Sequence, residues 1–188
     1  MTLTRTLGTL AMLGLLSAPA FADDITEAID QARKSYQAGD LINAKQSLDL
    51  ASQLIGQKNA EGFAALLPNP LPGWKADKAQ TTAVGAVGFG ASVASRRYSN
   101  AKGAHVEVQI TGDSAVVMQI ASLLSNPIIA GAMGKLIRVG SQRAIQDADG
   151  NIKMVIGSKF LVSVEGSADA ASKNSYAQAV DIAKLSKM

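Results

Sequence analysis

The sequence contains a single histidine, His105, and no cysteine. A Ser-His-Asp triad would need His105 as its base, and no Gly-x-Ser-x-Gly motif supplies a nucleophile. Protein sites for transition metals are built mainly from histidine and cysteine, so a metal site here would rest on carboxylates alone. These residues predict no catalytic group, no metal centre and no cofactor.

The segment from Asp147 to Asn151 places side-chain oxygens at alternate positions, as the opening of a calcium loop does. Its sixth position is Ile152, where a calcium loop needs glycine, and its twelfth is Ser158, where it needs a bidentate glutamate. Asp-Gly is also typical of hairpin turns, because both residues tolerate positive φ. We predict a turn between two strands.

Three glycines, Gly85, Gly88 and Gly90, resemble a phosphate-binding loop only in composition. No strand precedes them, no Lys-Ser or Lys-Thr pair closes the segment, and the residues that follow have the pattern of a strand. We predict a flexible entry into the first strand of a sheet.

Arginines lie on three predicted strands. Arg96 and Arg97 are on opposite faces of one strand, and Arg138 and Arg143 occupy two adjacent later strands. If Arg96 or Arg97 shares a face with the later pair, the group would form an anion site; otherwise the arginines belong to a solvated sheet face. The candidate binding residues are three of these arginines, two aromatic residues and three residues of an apolar segment: Trp74, Arg97, Tyr98, Ile128, Ile129, Met133, Arg138 and Arg143.

The apolar segment belongs to an uncharged stretch from Ser114 to Gly134. Its length permits a transmembrane helix, but the polar residues in its middle make membrane insertion costly. We predict a buried helix over 115–124 and an apolar loop over 126–134. This loop either tucks into the core or forms an exposed lip over a ligand or partner.

A helical hairpin is predicted over residues 23–67. Asp24 and Glu27 form a capping box, and Gly39 ends the first helix. Asp40 then caps a second helix that ends at Gly56, with a short extension as far as Pro68. Residues 36–51 resemble the turn and second helix of a tetratricopeptide repeat, but no second copy follows.

The second predicted domain, residues 68–188, begins with a proline-rich linker and is expected to fold without the hairpin. Alternating apolar residues predict six strands, over 91–99, 104–111, 135–139, 142–146, 152–156 and 160–165. Short turns indicate antiparallel neighbours, and a helix is predicted from 168 to 185. The sequence thus predicts an α+β fold with ββαββββα order after the hairpin.

The order of elements, together with Pro72-Gly73-Trp74, resembles the PsbP/Mog1-like α/β/α sandwich. The layout is also similar to uncharacterised exported bacterial proteins. The PsbP/Mog1-like resemblance implies a binding or assembly-factor role, because that fold often serves without catalysis. It supplies no functional residue.

Export is predicted by the N-terminus. Arg5 provides a positive start, Leu7 to Leu16 an apolar core too short to span a bilayer, and Ala20-Phe21-Ala22 a cleavage site. The leader is therefore residues 1–22, and the mature chain is periplasmic or secreted, without a transmembrane anchor. The formal net charge of +3 is too small to indicate nucleic-acid binding.

Two function classes remain open. The first is a non-catalytic periplasmic binding or interaction protein, such as an assembly or accessory factor whose partner is another exported or envelope protein. The second is a small-molecule carrier, or a small enzyme, with a pocket between sheet and helices.

The leader gives a direct prediction. N-terminal sequencing of the chain recovered from the periplasm should read Asp23-Asp24-Ile25, because the small-x-small triplet ends at Ala22. Recovery from the periplasm of a chain that begins at Met1 would contradict cleavage.

Overall fold

The computed structural model describes residues 20–83, 91–112 and 114–188. The predicted leader as far as residue 19 and the glycine-rich segment from Gly85 to Gly90 lie outside these residues.

Two helices form an N-terminal hairpin: α1 (Ala20–Gln37) and α2 (Leu41–Leu66). Gly39 adopts a φ of 78° at the turn between them. The Asp40 carboxylate accepts a hydrogen bond from the backbone N–H of Asn43 and so caps α2. The predicted turn and second cap are confirmed.

Two predicted helix boundaries are wrong. Asp24 lies inside α1 and not at its N-cap, and Gly56 lies inside α2, which continues to Leu66. A Cβ at Gly56 would come within 3.3 Å of the Ala83 Cβ on the sheet. The glycine therefore allows a close approach between helix and sheet and does not end the helix.

Among the described residues, eight strands form one antiparallel sheet, in the spatial order β1-β3-β4-β8-β7-β6-β5, with β2 also paired to β3. Their bounds are β1 Trp74–Ala76, β2 Gln80–Ala83, β3 Ser92–Asn100, β4 His105–Gly112, β5 Lys135–Val139, β6 Gln142–Gln146, β7 Ile152–Ile156 and β8 Phe160–Glu165. All six predicted strands are present, and β1 and β2 are additional short strands. The predicted α+β fold class is confirmed.

Four more helices accompany the sheet: α3 (Ala115–Ser125), α4 (Pro127–Met133), α5 (Ala170–Ala179) and α6 (Ile182–Leu185). The predicted loop over 126–134 is wrong, because Asn126 caps α4 by accepting a hydrogen bond from the N–H of Ile128. No helix within the described ranges is long and apolar enough to cross a membrane.

Alternation along the strands separates two faces of the sheet. The inner face carries the buried side chains, which include Ala94, Tyr98, Val106, Val108, Ile110, Ile152, Met154, Ile156, Phe160, Val162 and Val164. Residues of α2, α5 and α6 complete this core. The opposite, outer face is mostly polar or partly exposed.

Helix α2 is part of the core. The ring of Phe63 lies edge-on to that of Phe160, with ring centroids 5.5 Å apart, and Leu67 belongs to the same buried cluster. A Cβ at Gly112 would lie 2.6 Å from the Phe63 ring. The core therefore extends across the predicted domain boundary between residues 67 and 68.

This packing predicts that two side-chain truncations on α2 lower the free energy of unfolding by very different amounts. Phe63→Ala should lower the free energy of unfolding by about 3–5 kcal/mol, because it leaves a cavity in the core. Leu48→Ala is the matched control, since Leu48 is 56% exposed, and it should change stability by no more than about 0.5 kcal/mol. Urea unfolding followed by circular dichroism measures both, and equal losses would contradict the packing described.

Candidate functional site

A cavity of about 650 Å³ lies between α3 and α4 on one side and the outer face of β5, β6 and β7 on the other. We call it the α3–α4 cavity. The two helices contribute Ala121 and Ala130, whose small side chains are almost completely buried. Because both residues are alanines, space remains between helix and sheet at this end of the fold.

The floor of the α3–α4 cavity is largely aliphatic. Leu136 on β5 is paired with Ile145 on β6, and Val155 on β7 also lines the cavity. Leu136 is 51% exposed although its side chain is fully apolar. An open aliphatic floor of this kind favours a ligand with an apolar part.

Three cationic side chains also line the cavity: Arg138, Arg143 and Lys153. Arg138 and Arg143 are direct cross-strand partners on the outer face. Lys153 forms a salt bridge of 3.4 Å with Glu165. The salt bridges found among the described residues include neither of the two arginines.

Arg97 shares the outer face with Arg138 and Arg143 but does not join them. Strands β4, β8, β7 and β6 lie between β3 and β5, which corresponds to roughly 24 Å at the usual strand spacing. Arg97 instead lies 3.5 Å from its cross-strand neighbour Glu107. Of the arginines that the sequence offered for an anion site, the structure therefore brings Arg138 and Arg143 together and leaves Arg97 apart.

The three apolar candidates on α4 are exposed at the surface. Ile128 is 83% exposed, Met133 45% and Ile129 37%. None of them lines the α3–α4 cavity; Ala130, which lies between Ile129 and Met133 on the same short helix, does. The segment therefore has an exposed apolar side and a buried side, and a binding role for the exposed side stays a prediction.

Trp74 and Tyr98 lie elsewhere, in an aromatic cluster on the inner face. The ring of Tyr176 is 4.4 Å from that of Tyr98 and 5.4 Å from that of Trp74, measured between centroids. The Tyr98 hydroxyl donates a 2.6 Å hydrogen bond to the Pro68 carbonyl, and burial raises the pKa of Tyr98 to about 12. The cluster fixes the proline-rich linker; a binding role for its members stays a prediction.

His105 joins the start of β4 to Ser167, which follows β8. Its Nδ1 lies 2.9 Å from the Ser167 hydroxyl, which also accepts a hydrogen bond from the His105 backbone N–H. With Glu107 and Glu165 it borders a shallow polar cavity of about 350 Å³ on the outer face. The described residues contain no cluster of histidine and carboxylate side chains arranged to hold a metal ion.

The Asp147–Asn151 segment is a hairpin turn, as predicted. The Lys173 side chain lies beside this turn. The Lys173 ammonium donates to the Asp149 carbonyl at 2.7 Å and to Asn151 Oδ1 at 2.8 Å, although Lys173 is only 1% exposed. Partial burial raises the pKa of Asp147, but hydrogen bonds from Asn151 and Asp149 outweigh this effect and lower it. Sequence reasoning missed Lys173, because a helical lysine normally faces solvent.

A scan of protein-family models and searches of curated proteins and of solved structures found no match to this chain. The geometry of the site is therefore the basis on which a function is assigned.

The buried ammonium predicts a stability effect. Lys173→Met should lower the free energy of unfolding by about 1–3 kcal/mol, because the Asp149 carbonyl and Asn151 Oδ1 lose their donor. Lys153→Met is the control, since it removes an exposed ion pair that contributes about 1 kcal/mol at most. Chemical denaturation measures both variants. Equal stability of the two would show that Lys173 does not hold the turn.

Proposed function

We propose that this chain is a non-catalytic periplasmic binding protein that holds a small ligand with an apolar part in the α3–α4 cavity. The observation that carries this proposal is the cavity itself. Its volume of about 650 Å³ lies within the usual range of ligand sites, which is about 300–1,000 Å³. Its position between sheet and helices agrees with the carrier hypothesis drawn from the sequence.

The lining of the cavity supports binding more than catalysis. Its side chains are mainly aliphatic, with arginine, lysine, glutamine and one serine, Ser158, at the polar positions. An arginine stays protonated at neutral pH, so it orients a ligand without exchanging a proton with it. The predicted leader supports a periplasmic location, and the proposed likeness to PsbP/Mog1-like proteins agrees with a binding role.

A second candidate function is interaction with another envelope protein through the hairpin. Leu41, Leu48 and Ile55 recur at intervals of seven residues along α2, and all three are exposed. This spacing places them on one side of the helix, as in helices that pack against a partner helix. An accessory factor would use such a surface, and the proposed resemblance to a tetratricopeptide repeat agrees with this.

One matched pair of variants separates the two candidates. Leu136 and Leu48 are similarly exposed, at 51% and 56%, but only Leu136 lines the cavity. Wild-type mature protein purified from the periplasm should carry a stoichiometric small molecule in native mass spectrometry. Leu136→Glu should lose it, because a carboxylate on the apolar floor must be desolvated when the ligand binds. Leu48→Glu should keep it.

Two outcomes would overturn the ligand-binding proposal. One is wild-type protein without any bound small molecule, and the other is equal occupancy in Leu136→Glu and wild type. The hairpin candidate is tested by affinity capture with the same proteins: Leu48→Glu should lose a captured envelope protein that Leu136→Glu retains.

A further inference from the structure

We infer that the α3–α4 cavity takes a single-chain amphiphile with an anionic head group, whose carboxylate or phosphate oxygens are bound by Arg138 and Arg143. This inference rests on the proposed function and specifies the chemical class of its ligand. It depends on three observations: the register of β5 and β6, the absence of a salt bridge to either arginine among the described residues, and the apolar floor next to them.

The register of β5 and β6 places Arg138 and Arg143 next to each other. The turn between β5 and β6 has two residues, Gly140 and Ser141, and Gly140 adopts a φ of 57°. A two-residue turn leaves one register for the flanking strands, and that register sets Arg138 opposite Arg143. Cross-strand neighbours have Cβ atoms about 4.5–5.5 Å apart, so one oxyanion is within reach of both guanidiniums.

Among the described residues, no carboxylate forms a salt bridge with Arg138 or Arg143. Two described acids lie on the outer face of the neighbouring strands. Glu107 forms a salt bridge with Arg97, and Glu165 forms one with Lys153. The described residues that line the cavity include no aspartate or glutamate. Like charges directly opposite each other destabilise a sheet, so the fold retains an unfavourable pair that a bound anion would relieve.

The apolar part of the site is two residues further along the same strands. Leu136 is paired with Ile145, on the same outer face as Arg138 and Arg143. Two residues of an extended strand correspond to about 7 Å, so a head group bound by the arginines would place its chain directly over the aliphatic floor. Guanidinium groups bind carboxylate and phosphate oxygens in bidentate geometry. The site therefore has the polarity of a single-chain anionic amphiphile.

The inference is tested with three probes of one chain length: dodecanoate, dodecyl phosphate and dodecanol. Titration calorimetry on delipidated wild-type protein should show that each anion binds about tenfold or more tightly than dodecanol. The double variant Arg138→Gln/Arg143→Gln should lose this preference and keep its affinity for dodecanol. The control Arg97→Gln, on the same face but away from the cavity, should keep the preference.

The stability of the double variant gives a readout that needs no ligand. Removal of two opposed charges should leave its melting temperature unchanged or raise it. A clear fall would mean that the arginines support the fold, and the inference would then be wrong.

Failure of the inference can be told apart from failure of the proposed function. Equal affinity of wild type for the anions and dodecanol, with all binding lost in Leu136→Glu, would overturn the anionic head group and leave the cavity as a ligand site. Absence of binding for all three probes would overturn the inference together with the apolar-ligand site on which it rests. A preference for one anion over the other would identify the head group as carboxylate or phosphate.

Discussion

The central pairing of β4 with β8 is the contact on which the other elements depend. Val106, Val108 and Ile110 alternate on β4, and Val162 and Val164 pair across from them, all five without solvent exposure. Because alternate side chains of a strand point to opposite faces, this apolar set commits the whole sheet to one buried face. Helices α2, α5 and α6 cover that face, and the outer face lies outside this core.

In the part of the chain that the structure describes, helices cover the outer face at the end formed by β5, β6 and β7. Helix α4 leads directly into β5 through Gly134, where a Cβ would lie 2.4 Å from the Gln146 carbonyl oxygen. Because glycine has no Cβ, it allows the backbone between α4 and β5 to pass this close to Gln146. Small residues, Ala121 and Ala130, face the sheet at this end and leave the cavity open. The short connection thus sets the position of α4, whose Ala130 lines the candidate site.

Much of this fold could be predicted from the sequence. Period-two alternation indicated six strands, short turns indicated antiparallel neighbours, and Asp149-Gly150 indicated the hairpin turn at Asp147–Asn151. Three features could not be predicted in this way. Strands β1 and β2 have three and four residues, too few to show a period. Glycine often ends a helix, but Gly56 instead allows α2 to approach Ala83, which is distant in the sequence. The grouping of Arg138 with Arg143, apart from Arg97, depends on strand order, which local patterns do not contain.

The proposed ligand site is the α3–α4 cavity and not the helical hairpin. Backbone-amide chemical shifts measured during a titration with dodecanoate test this claim most directly, because they report on every element in one experiment. We expect the largest changes in α3, α4 and strands β5 to β7, with small changes in α1 and the first half of α2. Changes concentrated around Leu41 and Leu48, with none in β5 to β7, would contradict the account.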